Sequence, residues 1–452
     1  MNLVIIGGGI TGLSLAYFLL ERSPSLEITV IESGDRAGGK IWTDKSNGYL
    51  CEGGVNGFLD NRPKTLELVS KLSLSALRSN ENSRKRFIYS DGTLHRLPES
   101  PASFFGSNLL SLSGRLRIIW EIFAPRGGGN DETLAEFAIR RLGREAYEKL
   151  IDPMASGIYA GDPEKMSLRS CFPKVYNLEQ KYGSLIRGMI KLKKEARKTG
   201  EKVGAGPGGI LTSFFDGMEV MIGTLTQFLG TRLKTGVKGV SVDKKGDRYH
   251  VSLSDGSTIE TRGVVLATPA FEASAMVKDL AKDLASTLNE IPYPSISVVC
   301  FGYRRERIRH PLDGFGFLIP SREGRKILGT LWDSSIFPNR APDGHVLLRS
   351  MLGGVRRSDL ALEDDDRLRD LVMDELKDIM GIDVQPDFTK VYKHEKGIPQ
   401  YAPKHEKILE RISEACSRFS RLYITGNAYQ GIGVNDCIEN SYKLAERIAK
   451  EI

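Results

Sequence analysis

The chain has 452 residues, with Lys+Arg 64 against Asp+Glu 57 and a formal net charge of +7. That length exceeds what one hydrophobic core supports, so two or three domains are expected, and a chain 40% hydrophobic and 27% charged is neither disordered nor fibrous. The mild basic excess suits an anionic substrate or membrane surface. No RNP, zinc-finger or helix-turn-helix pattern accompanies it, so no nucleic-acid partner is expected.

Residues 4 to 32 read strand, glycine turn, helix, strand, acidic residue. Gly7, Gly9 and Gly12 fit G-x-G-x-x-G, and Glu32 ends the next apolar run twenty residues after Gly12. Gly7 permits the tight turn, Gly9 leaves room for a pyrophosphate, and Gly12 lets helix and strand approach, with the helix N-terminus facing the phosphate charge. Glu32 would accept from a ribose diol. The plain alternative is a βαβ start with chance glycines. Residues 3 to 20 are uncharged over 18 positions, about the length of a membrane span. Three consecutive glycines interrupt them, however, and no basic segment precedes them as a secretory signal requires. The expectation is a cytoplasmic protein, soluble or peripheral on the cytoplasmic membrane face.

After Glu32, Arg36, Gly38, Gly39 and Lys40 suggest a second glycine turn that brings backbone amides and a cation to the same pyrophosphate; a plain hairpin turn is the alternative. Gly53, Gly54 and Gly57 around Asn56 suggest backbone lying against a flat ring, or simply a loop. Residues 60 to 78 read as a helix, and Asp91-Gly92 as the turn of a hairpin. From 101 to 195 the pattern is helical. Leu109, Leu110, Leu112, Leu116, Ile119, Ile122 and Phe123 form an apolar face interrupted by Arg115 and Arg117, which suits either a membrane surface or a core. A second G-x-G-x-x-G at Gly204, Gly206 and Gly209 contains a proline, follows no strand and lacks a downstream acid, so it reads as a mobile loop between domains.

Residues 213 to 230 read as a helix, Asp255-Gly256 as a second hairpin turn, and the run VVLATP as a buried parallel strand returning to the first sheet. Residues 291 to 400 read as a sheet-rich domain. The ending LYITGNAYQGIGVND repeats strand, glycine loop and helix, with a helix N-terminus near Asn435 and Asp436 directed at a cofactor, so both chain ends are expected to build one domain. The expected architecture is α/β: a discontinuous Rossmann-like FAD-binding domain (1–84, 203–290 and 406–452), an inserted helical, membrane-associating domain (85–202) and a sheet-rich substrate domain (291–405). Cys51, Cys171, Cys300, Cys416 and Cys437 lack C-x-x-C spacing, and the six histidines lack ligand spacing, so neither a disulfide frame nor a metal site is expected.

Four blocks together resemble the flavin amine-oxidase superfamily and, within it, the protoporphyrinogen oxidases of haem synthesis. They are GGGITGLSLAYFL through ESGDRAGGKIWT, EGGVNGFLD, DPMASGIYAGDPEKMSLRSCFP at 152 to 173, and GNAYQGIGVNDCI at 426 to 438. The resemblance covers nearly the whole chain. It implies noncovalent FAD, with Gly7, Gly9 and Gly12 at the pyrophosphate and Glu32 at the adenosine ribose. It puts Arg36, Gly39 and Lys40 in the second turn, and Gly54, Val55, Asn56 and Gly57 beside the isoalloxazine and ribityl chain. It matches Val237 to a backbone contact with adenine, and Ile432, Gly433 and Val434 to a loop across the flavin.

For substrate, the resemblance implies a carboxylate contact at Arg86, a backbone carbonyl at Gly157 near pyrrole N–H groups, polarisation near Asn56, and Phe315, Leu318 and Met351 around the macrocycle. On residue type alone the last three are core residues, and Arg86 is a surface charge. No catalytic dyad is implied, because the cofactor carries the redox chemistry. The implied reaction removes six electrons from protoporphyrinogen IX in three rounds, with oxygen as acceptor. Coproporphyrinogen III is the alternative substrate; an amine oxidase, a carotenoid desaturase or a non-enzymatic flavin protein are more distant alternatives. A homodimer is compatible with the sequence. One position departs from the family: His394 stands where a Trp is often found, which puts the flavin contact credited to that Trp in doubt.

Overall fold

A computed structural model describes residues 2–98, 101–128, 131–199 and 209–451. Strand β1 (Asn2–Ile6) and strand β2 (Glu27–Ile31) flank helix α1 (Ile10–Arg22). β1 pairs in parallel with β2 on one side and with strand Gly263–Leu266 on the other. Strands Leu233–Lys234 and Leu422–Ile424 complete a five-stranded parallel sheet. Its strands are near-continuous aliphatic runs because both faces are covered. The residues 263–266 and 422–424 arrive where the sequence placed returning strands, so both chain ends share this domain.

The uncharged run 3 to 20 is not one helix. Gly7 has φ 114°, which breaks it into β1 and α1. α1 is buried from Ile10 through Leu20, packed against helices Glu219–Leu229 and Val434–Glu451. Its hydrophobicity is that of a core helix. Among the described residues no helix is long and apolar enough to cross a membrane.

The larger sheet has seven strands, in the order Phe388–His394, Ile296–Arg304, His345–Gly353, Ile327–Leu331, Gly316–Leu318, Arg86–Ser90 and Thr93–Arg96. The hairpin around Asp91 (φ 52°) and Gly92 (φ 81°) therefore belongs to this sheet and not to the helical segment that follows it. Side chains alternate between its faces. Leu348 and Leu352 pack with Leu368, Leu371 and Leu376 of helix Asp365–Met380. Leu347 and Met351 face the other way, toward Tyr49 and Cys51 of strand Tyr49–Glu52. That second face is the one that matters for the site.

Two expected helices are shorter than their patterns. Within 60 to 78 the helix is Pro63–Lys71, ended by Ser73 at φ 54°, and Ala76–Arg78 is a strand. Within 213 to 230 the helix is Glu219–Leu229, preceded by strand Leu211–Phe214. That strand pairs with Ala76–Arg78 and Phe58–Leu59, distant partners that a local pattern does not reveal. The hairpin at Asp255-Gly256 forms as expected, with Gly256 at φ 83°. Gly204 and Gly206 lie outside the described residues.

The helical part is held by a buried ion network. The Arg141 guanidinium, fully buried, lies 3.2 Å from Glu121 and 2.6 Å from Glu179. It also donates to the carbonyls of Ala124 and Gly183. Removing one member of such a network leaves an uncompensated buried charge. Arg141→Met is expected to destabilise the protein by about 3–5 kcal/mol, read as a lower urea midpoint; a loss under about 1 kcal/mol would mean the network behaves like a surface pair.

Candidate functional site

A cleft of about 350 Å³ opens at the carboxyl ends of the parallel strands, the position where open α/β sheets bind ligands. Gly7, Gly9, Glu32, Gly39, Lys40, Val55, Ile432 and Val434 all line it. Gly12, Arg36, Gly54, Asn56, Gly57, Val237 and Gly433 do not.

The glycines separate by cause. A Cβ on Gly7 would lie 2.6 Å from the Ala267 carbonyl oxygen, and one on Gly12 would lie 2.0 Å from that of Gly7. Both are required by the chain's own packing. Gly9 is different: its backbone (φ −73°, ψ 176°) suits any residue, and a Cβ there meets nothing within 4 Å. Its missing side chain serves only the cleft. α1 begins beside it with no side-chain cap and no acid in its first turn, so its first N–H groups remain available to an anion. These features fit the phosphates of a dinucleotide.

The Glu32 carboxylate is fixed by its own neighbourhood. One oxygen accepts from the Gly8 N–H and the other from the Gly34 N–H, each at 2.8 Å. Lone pairs remain on both oxygens for a diol. Val237 donates its N–H to the Glu32 carbonyl at 3.0 Å, which places it beside the same end of the cleft.

The second glycine turn docks on the first, with the Gly38 N–H donating to the Gly8 carbonyl at 2.8 Å. Its two cations part company. Arg36 folds back and donates to the carbonyls of Ala37, Gly39 and Ile41, so it braces its own turn. Lys40 enters the cleft and donates to the Gly397 carbonyl. No carboxylate pairs with Lys40 among the described residues, and burial lowers its pKa to about 8. A buried ammonium without a counter-charge is what an anionic ligand would relieve.

The glycine loop after strand Tyr49–Glu52 is closely approached by neighbouring backbone. A Cβ on Gly54 would lie 2.4 Å from the Lys40 carbonyl oxygen, and one on Gly57 2.5 Å from that of Thr212. The Glu52 carboxyl accepts from Thr43 and from the Met218 N–H, each at 2.8 Å, and burial pushes its pKa up to about 7. Asn56 reaches Asp333 at 3.5 Å, while its Oδ1 is buried without a partner. At the far side, Asn435 donates to the Leu59 carbonyl, and Asp436 pairs with Arg62 and accepts from the Gly433 N–H. Those two side chains seat the C-terminal loop; Ile432 and Val434 are the residues it turns toward the cleft.

Beside this loop lies the inner face of the seven-stranded sheet. Leu318, Gly329 and Met351 sit in one cross-strand row, with the Leu318 side chain leaning over Gly329. Gly157, in helix Asp152–Tyr159, abuts the row: a Cβ there would lie 2.6 Å from Leu318 Cδ2. Its carbonyl is among the last four of that helix, which have no intrahelical donor. Arg86 pairs in register with Gly316, two residues along the same face, and its guanidinium lies 5.1 Å from the centre of the Phe315 ring. The sheet and helix Asp152–Tyr159 thus gather Arg86, Gly157, Phe315, Leu318 and Met351 from four distant segments.

Sequence reasoning missed the residues that tie this sheet to the glycine loop. Arg349 and Asp333 form a buried ion pair at 2.9 Å, and Arg349 donates to the carbonyls of Glu52 and Gly54. His394, where the family often has Trp, places its ring against the Gly53 carbonyl. Because a Cβ on Gly9 meets nothing in the protein, Gly9→Val is expected to melt at the temperature of the parent apoprotein and to lose its visible flavin absorbance. Flavin content equal to that of the parent would contradict this account of the turn.

A family model described as flavin containing amine oxidoreductase matches residues 10–449. The chain is 32% identical to a coproporphyrinogen III oxidase of Bacillus subtilis, over 97% of this chain and 96% of that protein. It is also 32% identical to protoporphyrinogen oxidase 1, chloroplastic, of Arabidopsis thaliana, over 98% of this chain and 87% of that one. A crystal structure from Exiguobacterium sp. 255-15, named "Putative protoporphyrinogen oxidase", superimposes with a TM-score of 0.86 at 27% identity, covering 100% of this chain and 99% of that one. The uncapped helix start, the ligand-facing Gly9 and the near end-to-end match agree: this chain belongs to the flavin-containing amine oxidoreductase family.

Proposed function

We propose that this chain is an FAD-dependent oxidase that converts protoporphyrinogen IX to protoporphyrin IX. The observation that carries the reading is the adjacency of the nucleotide cleft to a sheet face on which an apolar row, Leu318 and Met351, runs beside the cation Arg86. A flat apolar macrocycle with peripheral carboxylates has that complement of needs.

In this reading the turn Gly7, Gly9 and Gly12 serves the FAD pyrophosphate, Gly9 and the α1 N-terminus by facing it and Gly7 and Gly12 by letting the turn close, with Lys40 and Gly39 opposite. Glu32 holds the adenosine ribose and the Val237 backbone meets the adenine. Gly54, Val55, Asn56 and Gly57 border the ring from one side, and Ile432, Gly433 and Val434 from the other. Arg36 acts through the second turn that it braces. Bound FAD supplies a two-electron acceptor, so the six-electron oxidation takes three rounds. The residues around the substrate bind, orient and exclude water: Arg86 takes a carboxylate, Phe315, Leu318 and Met351 clamp the ring, and the Gly157 carbonyl and the unpartnered Asn56 Oδ1 accept from pyrrole N–H groups. No acid–base dyad is needed. Oxygen is the acceptor that returns the cofactor to its oxidised form.

The reading extends to a peripheral contact with a membrane from the cytoplasmic side. Leu109 and Leu110 are buried, but Leu112, Leu116, Trp120 and Phe123 stand out, Phe123 at 69% exposure. Such a run beside Arg115 suits an interfacial surface. A homodimer is part of the same proposal. Oxidation of coproporphyrinogen III to coproporphyrin III is the second reading, favoured by the end-to-end match to the Bacillus subtilis relative.

Porphyrin fluorescence during aerobic turnover tests both. Faster conversion of protoporphyrinogen IX supports the first reading, and conversion of coproporphyrinogen III alone overturns it in favour of the second. Arg86→Ala is expected to raise KM about tenfold while kcat falls less, because a carboxylate contact made equally in ground and transition states is uniform binding; unchanged kinetics would remove Arg86 from the site.

A further inference from the structure

Three consecutive carbonyl oxygens of the glycine loop, those of Glu52, Gly53 and Gly54, turn toward side chains of the seven-stranded sheet. Arg349 donates from Nη1 to Glu52 at 3.3 Å and to Gly54 at 3.2 Å. His394, the last residue of strand Phe388–His394, has Nε2 at 2.8 Å from the Gly53 oxygen. A carbonyl only accepts, so Nε2 carries the proton and the ring is the donor. Burial lowers the pKa of the ring, the Lys40 ammonium adds to that, and the bond to Gly53 opposes it. Arg349 is itself held by Asp333 at 2.9 Å, both side chains being buried, and Asp333 also meets Asn56.

The geometry of the peptide unit carries this further. In a trans peptide the C=O of one residue and the N–H of the next point in opposite directions. With the Gly53 and Gly54 carbonyls drawn toward the sheet, the N–H groups of Gly54 and Val55 point away from it. Val55 lines the cleft. Neither N–H meets an acceptor among the described residues. Two adjacent, half-buried donors without partners are costly unless a ligand satisfies them.

We propose that His394 and Arg349 are positioning residues that pin the backbone of Glu52 to Gly54, so that the Gly54 and Val55 N–H groups form a paired donor for acceptor atoms of the flavin ring system. This rests on the flavin reading above. It gives His394 a task that needs no contact with the cofactor: the imidazole holds the loop that holds the ring. Donors aimed at the ring favour the electron-rich, reduced form, so the pair also sets how readily the cofactor accepts electrons.

The test is FAD titration of the apoprotein, followed by flavin fluorescence, together with the midpoint potential of the loaded protein, for the parent and three variants. His394→Phe keeps a ring but no donor, and strands no charge. It is expected to weaken FAD binding about tenfold, as loss of one buried hydrogen bond does, and to shift the potential negative, with apoprotein melting unchanged. His394→Gln, whose amide reaches the same carbonyl, recovers most of both. Arg349→Lys keeps the charge opposite Asp333 but can serve only one carbonyl well, and shows a smaller loss of the same sign. Unchanged affinity and potential in His394→Phe and Arg349→Lys overturn the proposal, as does a loss that tracks apoprotein stability and is not recovered by Gln. A parent apoprotein that takes up no FAD overturns the flavin reading and this one with it.

Discussion

A Cβ on residue 12 would stand 2.0 Å from the carbonyl oxygen of residue 7, and one on residue 7 would stand 2.6 Å from that of residue 267. The three backbones of β1, α1 and the strand Gly263–Leu266 can approach only because Gly7 and Gly12 carry no side chains. The rest of the molecule depends on that approach. It lets α1 start at the strand ends with its N–H groups uncapped. It sets the third strand beside β1, and through that strand the C-terminal strand Leu422–Ile424 and the helix after it. The cleft exists because chain segments more than two hundred residues apart are drawn to one turn.

The second constraint is the alternation of side chains along the seven-stranded sheet. On strand His345–Gly353 the even positions bury themselves against helix Asp365–Met380, and the odd ones, Leu347, Arg349 and Met351, look toward strand Tyr49–Glu52. One strand therefore supplies a residue of the apolar row, Met351, and the cation that grips the glycine loop, Arg349. Wall and loop are thereby tied by buried contacts. The buried ion pair behind this tie resists displacement because separating its members exposes each to an unpaired, low-dielectric surrounding.

What the sequence made legible follows from range. Gly7, Gly9, Gly12 and Glu32 act within one βαβ unit, so their spacing alone carries the chemistry. The aliphatic runs at 263–266 and 422–424 signalled parallel strands because strands buried on both faces need such runs. The hairpins at Asp91-Gly92 and Asp255-Gly256 announced themselves by turn chemistry. The illegible parts are contacts between residues 295 and 341 apart, Arg349 with Gly54 and His394 with Gly53, which no local pattern encodes. The brace that Arg36 gives its own turn, through the carbonyls of Ala37, Gly39 and Ile41, is likewise a matter of how the turn folds and not of spacing. At Gly54 and Gly57 the missing side chains make room for the backbones of Lys40 and Thr212, contacts that no local spacing announces.

In the proposed reading, cofactor cleft and substrate wall form a single reacting chamber. Anaerobic mixing of the purified yellow protein with protoporphyrinogen IX examines it directly, because only the bound flavin is then available to take electrons. The account predicts bleaching of the visible flavin band in step with the rise of porphyrin fluorescence, with three flavins reduced for each porphyrin formed. A flavin band that stays intact in the presence of excess protoporphyrinogen IX and of coproporphyrinogen III would contradict it.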